Sequence, residues 1–309
     1  MRVTETNQEE VRNWIKLRLA RNLDTFGAVR LLKAFGSAEA VLEGALADLA
    51  RIVGMPAAEG VVAAARGAAD DDADAAVERL RSTPEAGVLT IADSLYPAGL
   101  IESGTAPLLL FTRGSESLLL REAVTICGSA AADDEGLRNA EFFGKAVSEA
   151  GMTVLVPAEP GIPAAAVSGA LSAHNGVPPA AFLASGTARA PRELAGLLKA
   201  LLAAGGLLIS AELPDASQSE SSRVLRDGLL AGFAKRLLII EAERHAPILD
   251  VARKAAELGS LVGAIPGSIH NPLSRGANAL IREGAMLVET LRDLDIENPV
   301  LRKLAGNLY

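Results

Sequence analysis

The chain has 309 residues, half of them apolar but only 3% aromatic, with a formal net charge of −8 and one cysteine. That length predicts one large or two medium domains, with a core built from Ala, Leu, Val and Ile. The acidic balance excludes a general polyanion binder, so any phosphate contact must come from a local basic patch. The single Cys127 excludes a disulfide framework, fits a reducing compartment and is read as a buried hydrophobe.

The N-terminus, Met1 to Thr6, is polar and lacks a signal-peptide core. Residues 8–67 read as a small all-helical domain with helices at Glu9–Arg21, Thr25–Phe35, Ala38–Leu49 and Ala57–Arg66. Val11, Ile15, Leu17 and Leu19 recur at helical spacing, and Gly36 and Gly54 stand where C-terminal stops belong. Residues 68–86, with Asp70-Asp71-Asp72, read as a linker or solvated helix. Few groups there can tie into a core, so 67–74 is the expected boundary between domains. The most apolar stretch, Leu194 to Ile209, is too short to span a membrane and contains Lys199. A cytoplasmic protein with no membrane partner is expected.

From residue 87 to 295 strands alternate with helices. Strands are predicted at Val88–Ile91, Leu108–Phe111, Val124–Cys127, Thr153–Val156, Ala181–Leu183, Leu207–Ser210, Leu237–Ile240, Leu261–Ala264 and Met286–Val288. Helices are predicted at Asp134–Ala150, Ala164–Ala173, Pro191–Ala204, Ser219–Ala234, Ile248–Leu258 and Asn278–Glu283. Short, nearly continuous apolar strands between helices imply an α/β, Rossmann-like, mostly parallel sheet with helices on both faces. Residues 296–309 read as a C-terminal tail.

The strongest local signal comes after the strand at Leu261–Ala264. Pro266-Gly267-Ser268 and then Ser274-Arg275-Gly276-Ala277-Asn278 form a glycine- and serine-rich loop leading into a helix. In an α/β sheet, ligands sit at such a carboxyl end, where backbone N–H groups and the next helix face an anion. Gly276 would permit close backbone approach, and Asn278 would cap the helix. His270 lies in the same loop. Glu212 and Glu241 end predicted strands and are possible crevice-lining carboxylates. His174, His245 and His270 are far apart, and with one cysteine they give no zinc signature. No GxSxG elbow, Walker A loop or GxGxxG is present.

Read in order, the chain resembles the DprA (DNA processing protein A, or Smf) family over about residues 8–295. The resemblance is carried by Leu31-Leu32-Lys33-Ala34-Phe35-Gly36, Tyr96-Pro97-Ala98-Gly99-Leu100, Ala106–Gly114, Val124–Ser129, Leu207–Glu212, Ile239–Ala242 and the loop that contains Gly267, Ser268, Arg275, Gly276 and Asn278. It implies a sterile-alpha-motif-like N-terminal domain before a Rossmann-like core. It also implies single-stranded DNA as ligand, with Gly128, Ser129, Arg226, Gly267, Ser268, Arg275, Gly276 and Asn278 in the nucleic-acid site. A RecA-type recombinase partner, a homodimer, no cofactor, no metal and no catalysis are implied by the same resemblance.

The chain departs from the family pattern at several positions. Ala130 stands where the family has the arginine of its GSR turn, and Val156–Pro163 replaces its open SGxAxGID turn and adds Glu159. At the FPxRNR element Arg226 fits the first arginine, while Asp227 and Gly228 replace the asparagine and the second arginine. Arg226, near a helix start, is then the expected main phosphate contact. Arg189, Arg192, Arg223, Arg275 and Arg282 are candidate substitutes, and the base-stacking aromatic of the family is replaced by Val224 or Leu225. Two other readings stay open: a partner-binding scaffold whose DNA site has decayed, and a nucleotide-binding or nucleotide-cleaving member of the wider superfamily.

Overall fold

The computed structural model describes residues 2–296. Of the expected tail, residues 297–309 lie outside that range.

Six helices open the chain: α1 Gln8–Leu19, α2 Thr25–Phe35, α3 Ala38–Leu42, α4 Leu46–Val53, α5 Met55–Ala63 and α6 Asp70–Ser82. Asp24 caps α2 by accepting from the Gly27 N–H at 2.6 Å, and Ser37 caps α3 by accepting from Ala40 at 3.1 Å. The single helix expected over Ala38–Leu49 is two, because the chain turns at Gly44 close against Phe35 and Leu49. The larger correction concerns residues 67–74. Instead of a loosely held boundary, the aspartates open α6, whose Ala73, Ala76 and Leu80 are buried. Lys16 and Arg12 of α1 reach Asp70 at 2.8 and 3.0 Å, and Arg12 also binds Asp74. Acidic residues in the first turn suit the helix dipole, and two cations across the interface fix the helix on α1.

Among the described residues, 86–287 build one sheet of nine strands. In chain order the elements are β1 Ala86–Thr90, α7 Ala98–Glu102, β2 Leu109–Gly114, β3 Ala123–Gly128, α8 Asp134–Glu149, β4 Thr153–Pro157, α9 Ile162–Leu171, β5 Ala180–Phe182, α10 Ala195–Ala203, β6 Leu207–Ser210, α11 Glu220–Phe233, β7 Arg236–Ile240, α12 Ile248–Glu257, β8 Leu261–Ala264, α13 Arg275–Glu283 and β9 Met286–Leu287. The spatial order is β1-β2-β6-β5-β4-β3-β7-β8-β9, with β6 through β9 mutually parallel and the β1-β2 hairpin antiparallel to β6. The α/β, Rossmann-like fold expected from the sequence is the fold found.

Each central strand feeds two cores by alternation. Cys127, Leu155, Phe182, Ile209, Leu237 and Ile239 enter one, while Ile126, Val154, Val156, Ala181, Leu208 and Leu238 enter the other. Helices cover both, which is why these strands read as nearly unbroken apolar runs. A third core joins the helical segment to the hairpin, with Val11, Ile15, Leu31 and Ala73 packing against Val88, Leu109 and Phe111. The helical segment is therefore anchored through its core to the sheet.

The register of the hairpin fixes which loops share an edge of the sheet. Phe111 of β2 faces Ser210 of β6 in an antiparallel pair, so the start of β2 lies beyond the carboxyl end of β6. Residues 104–108 thus share an edge with the carboxyl ends of all the parallel strands.

Candidate nucleic-acid interface

β3 is followed by strands to one side and β7 by strands to the other, so the order reverses between them. Ligand crevices in open α/β sheets form at this reversal, outside the carboxyl ends. Gly128 ends β3 so close to β7 that a Cβ on it would lie 1.8 Å from the Ile240 carbonyl oxygen. The Ser129 N–H donates to the Glu241 carbonyl at 2.8 Å, and the Ser129 carbonyl accepts from Ile162 at 3.0 Å. Gly128 and Ser129 therefore close the crevice floor.

Glu241 sits at this floor in left-handed backbone, φ 51°, a conformation that a non-glycine residue holds only under tertiary constraint. Its carboxyl packs against Gly136 in the first turn of α8 and accepts from the Asp133 N–H at 3.1 Å. Asp133 caps α8 by accepting from Glu135 and Gly136, at 2.9 and 3.0 Å, and its other oxygen accepts from Asn271 Nδ2 at 2.9 Å. Burial, with Asp133 beside it, pushes the Glu241 carboxyl up to about 7. Asp133 is held below the usual carboxylate range, chiefly by the Gly136 N–H. The position where a Rossmann-like fold commonly seats a phosphate, the N-terminus of the helix after its first strand, is filled here by the protein's own carboxyls.

On the other bank, the loop after β8 stands open. Gly267, Ser268, Ile269 and His270 are exposed, Ile269 at 77%. The Ser268 hydroxyl accepts from the His270 N–H at 3.2 Å. Arg275 is exposed as the first residue of α13. Two expectations are corrected here. Asn278 is not an N-cap, because α13 begins three residues earlier; instead its amide exchanges two bonds with the Gly267 backbone, at 3.2 and 2.9 Å, and pins the loop to the helix. Gly276 does not leave room for a ligand. It is buried, its N–H donates to the Ala242 carbonyl at 2.8 Å, and a Cβ would meet the Glu243 and Ala242 carbonyl oxygens at 2.5 and 2.6 Å.

Arg226 is placed otherwise than its motif suggests. Its side chain is 5% exposed and pairs with Asp227 at 2.6 Å and Glu159 at 2.8 Å. Burial works to lower its pKa, and the two carboxylates more than offset that, so the guanidinium is held firmly charged. Its Nε and Nη2 are spent on these two carboxylates and its side chain is buried, so it is held as an internal ion pair. Glu212 is likewise turned away from the crevice floor, lying 3.8 Å from Arg18 of α1.

Asp133 and Asn271, which tie the two banks together, escaped sequence reasoning. The signal was an Asp three residues before Gly136 at a helix start. Ser185 and Thr187, in the loop after β5, are also newly visible. Their hydroxyls are buried with no hydrogen-bond partner among the described residues. No described helix is long and apolar enough to cross a membrane, and no cluster of three or more potential metal ligands occurs among the described residues.

Comparison with known proteins places this geometry. Residues 87–298 match the family described as DNA recombination-mediator protein A. The chain is similar to Protein Smf of Escherichia coli, 33% identical over 64% of this chain and 53% of that protein, so it spans about half of that relative. It is 30% identical to DNA processing protein DprA of Streptococcus pneumoniae over 66% of this chain and 72% of that protein. The crystal structure of the Streptococcus pneumoniae protein superposes with a TM-score of 0.78 and 26% identity, covering 96% of this chain and 99% of that one. A Helicobacter pylori DNA processing protein A, studied for its single-stranded DNA binding mode, shares the fold with a TM-score of 0.59 and 17% identity, over 72% of this chain and 98% of that one.

Proposed function

The chain belongs to the DNA recombination-mediator protein A family, and on that premise we propose that it binds single-stranded DNA at the carboxyl edge of its sheet without cleaving it. The observation that supports this most is the exposed loop 266–270 followed by Arg275 at the switch point of a Rossmann-like sheet. The exposed Ser268 offers a hydroxyl to a phosphate there, and an exposed guanidinium supplies the charge. By the same kinship we propose a RecA-type recombinase as partner, a homodimer in solution and a cytoplasmic location. The phosphate contact is reassigned from Arg226 to Arg275.

Fluorescence anisotropy with a labelled oligothymidylate at two salt concentrations tests the reading. Binding should fall steeply with salt, and Arg275→Ala should weaken it and reduce the logarithmic salt slope by about 1. Absence of salt-dependent binding would overturn it. One observation favours a second reading, a partner-binding scaffold. Glu159 and Asp227 neutralise Arg226, and the carboxyls of Glu241 and Asp133 fill the helix N-terminus beside it. A scaffold would bind a recombinase while showing no oligonucleotide affinity.

A further inference from the structure

We infer that Phe26 of α2 is a nucleobase-stacking platform, in a groove separate from the switch-point crevice. The inference rests on the proposed single-stranded DNA binding but names a site that proposal does not contain. Phe26 is 72% exposed, an unusual state for a phenylalanine in a chain that is 3% aromatic. Its neighbour Arg30 lies one helical turn on, with the guanidinium 5.4 Å from the ring centroid. One side of the ring is therefore held by a cation while much of the ring remains open to solvent. The ring lines a groove of about 570 Å³ whose other walls are Thr105, Pro107 and Leu225. That volume lies in the range of small-ligand sites.

The position of the groove on the sheet argues for a nucleic acid over a protein segment. Residues 104–108 precede β2, and the register of β2 with β6 puts them on the same edge as the carboxyl ends of the parallel strands. Leu225 belongs to α11 and is adjacent in sequence to Arg226, whose partner Glu159 comes just after β4. A strand lying along this edge can reach both the loop after β8 and the ring of Phe26. The cation that can serve a phosphate chain beside the ring is Arg30. The Asp24 carboxylate in the wall is committed to capping the Gly27 N–H, and Arg18 is committed to the Ala211 carbonyl and Glu212. Arg30 is exposed and can meet a phosphate beside a stacked base.

The test is photocrosslinking of the full chain to an oligothymidylate carrying one 5-iodouracil. Iodouracil joins preferentially to aromatic rings stacked on it, and trypsin releases Phe26 within residues 22–30, between Arg21 and Arg30. The expected result is an adduct on Phe26. Phe26→Leu should abolish it and weaken oligonucleotide binding about tenfold, within the range for loss of one stacked base, while Phe26→Trp should restore binding. The ring is largely exposed, so both variants should fold. Parent-level affinity in Phe26→Leu, with adducts only elsewhere, would overturn the inference while leaving the DNA-binding reading intact. That pattern is also what a groove built for a protein segment would give. Failure of the parent chain to bind the oligonucleotide at all would overturn both.

Discussion

The two banks of the switch-point crevice carry charge in opposite ways. On the side of β4 and α11, Arg226 is enclosed between Glu159 and Asp227, which take its Nε and Nη2. On the side of β8 and α13, Arg275 stands exposed at a helix start behind the exposed loop 266–270. Both arginines sit in segments that resemble the same family, so the motif alone does not separate them. The neighbours decide. A carboxylate at position 159 and another at 227 turn a ligand contact into a structural ion pair, whereas Arg275 forms none of the ion pairs seen among the described residues. A cation serves a ligand only if the protein leaves its counter-charge to that ligand.

Removing Arg226 should therefore act on stability first. Arg226→Ala leaves two partly buried carboxylates without their cation. Breaking a buried pair in this way costs about 3–5 kcal/mol. Because Glu159 and Asp227 are 31% and 22% exposed, the loss should fall near the lower end, about 3 kcal/mol, read as a lower urea midpoint. Oligonucleotide affinity of the folded fraction should stay at the parent level. A stable variant with weakened binding would reverse the assignment of the two banks.

Gly276→Val should be nearly as costly, by a different route. The backbone there is in an ordinary conformation, so the penalty is one of space: the new Cβ would press on the Ala242 and Glu243 carbonyl oxygens in the loop after β7. Overpacking of this kind costs typically about 1–3 kcal/mol, and rigid backbone neighbours place it toward the top of that range. Thermal unfolding of the variant measures it. A variant as stable as the parent would mean that the glycine is there for a ligand after all.

The strand pattern was legible because each central strand is apolar on both faces, and the loop after β8 was legible because glycine, proline and serine cluster there. What composition could not reveal was partnership. Asp70 to Asp72 look like a solvated run, yet Lys16 and Arg12, more than fifty residues earlier, hold Asp70 in a packed helix. Asn278 looks like a cap, yet the helix starts before it because Ser274 and Arg275 already adopt helical backbone. The first pairing is set by the packing of α6 on α1 and the second by the return of α13 against the loop after β8, so the short windows that suggested a solvated run and a cap contain neither partner.

Asn278 gives the smaller, local test of the open bank. Its amide makes both bonds that hold Gly267 against α13. Asn278→Ala removes them from a loop where water can replace the partners, so the cost should be about 1 kcal/mol. The sharper effect should be on binding: with the loop unpinned, oligonucleotide affinity should fall although no contact to the ligand has been deleted. Unchanged affinity would show that loop 266–270 need not be held in place to bind.

The crevice floor should also respond to pH, through Glu241. Its carboxyl is raised to about 7 in the folded chain, by burial and then by Asp133, against about 4.3 in an unfolded one. The folded state thus holds a proton between these values that the unfolded state has released. The stabilisation from this group is complete below the unfolded value and is lost as pH rises through about 7. Glu241→Gln keeps the shape of the protonated acid and cannot ionise. At pH 8 the variant should be more stable than the parent by about 1 kcal/mol, a figure reduced to allow for solvent screening at the crevice. At pH 5 the difference should shrink, since the folded parent then carries the proton, and it should vanish only below the unfolded value of about 4.3. The Asp133 carboxylate, lowered chiefly by the Gly136 N–H and in part by Glu241 itself, contributes in the opposite direction at lower pH, so the comparison reads the coupled pair with Glu241 dominant near pH 7. A difference that is the same at both pH values would mean that the Glu241 carboxyl is not raised in the folded chain.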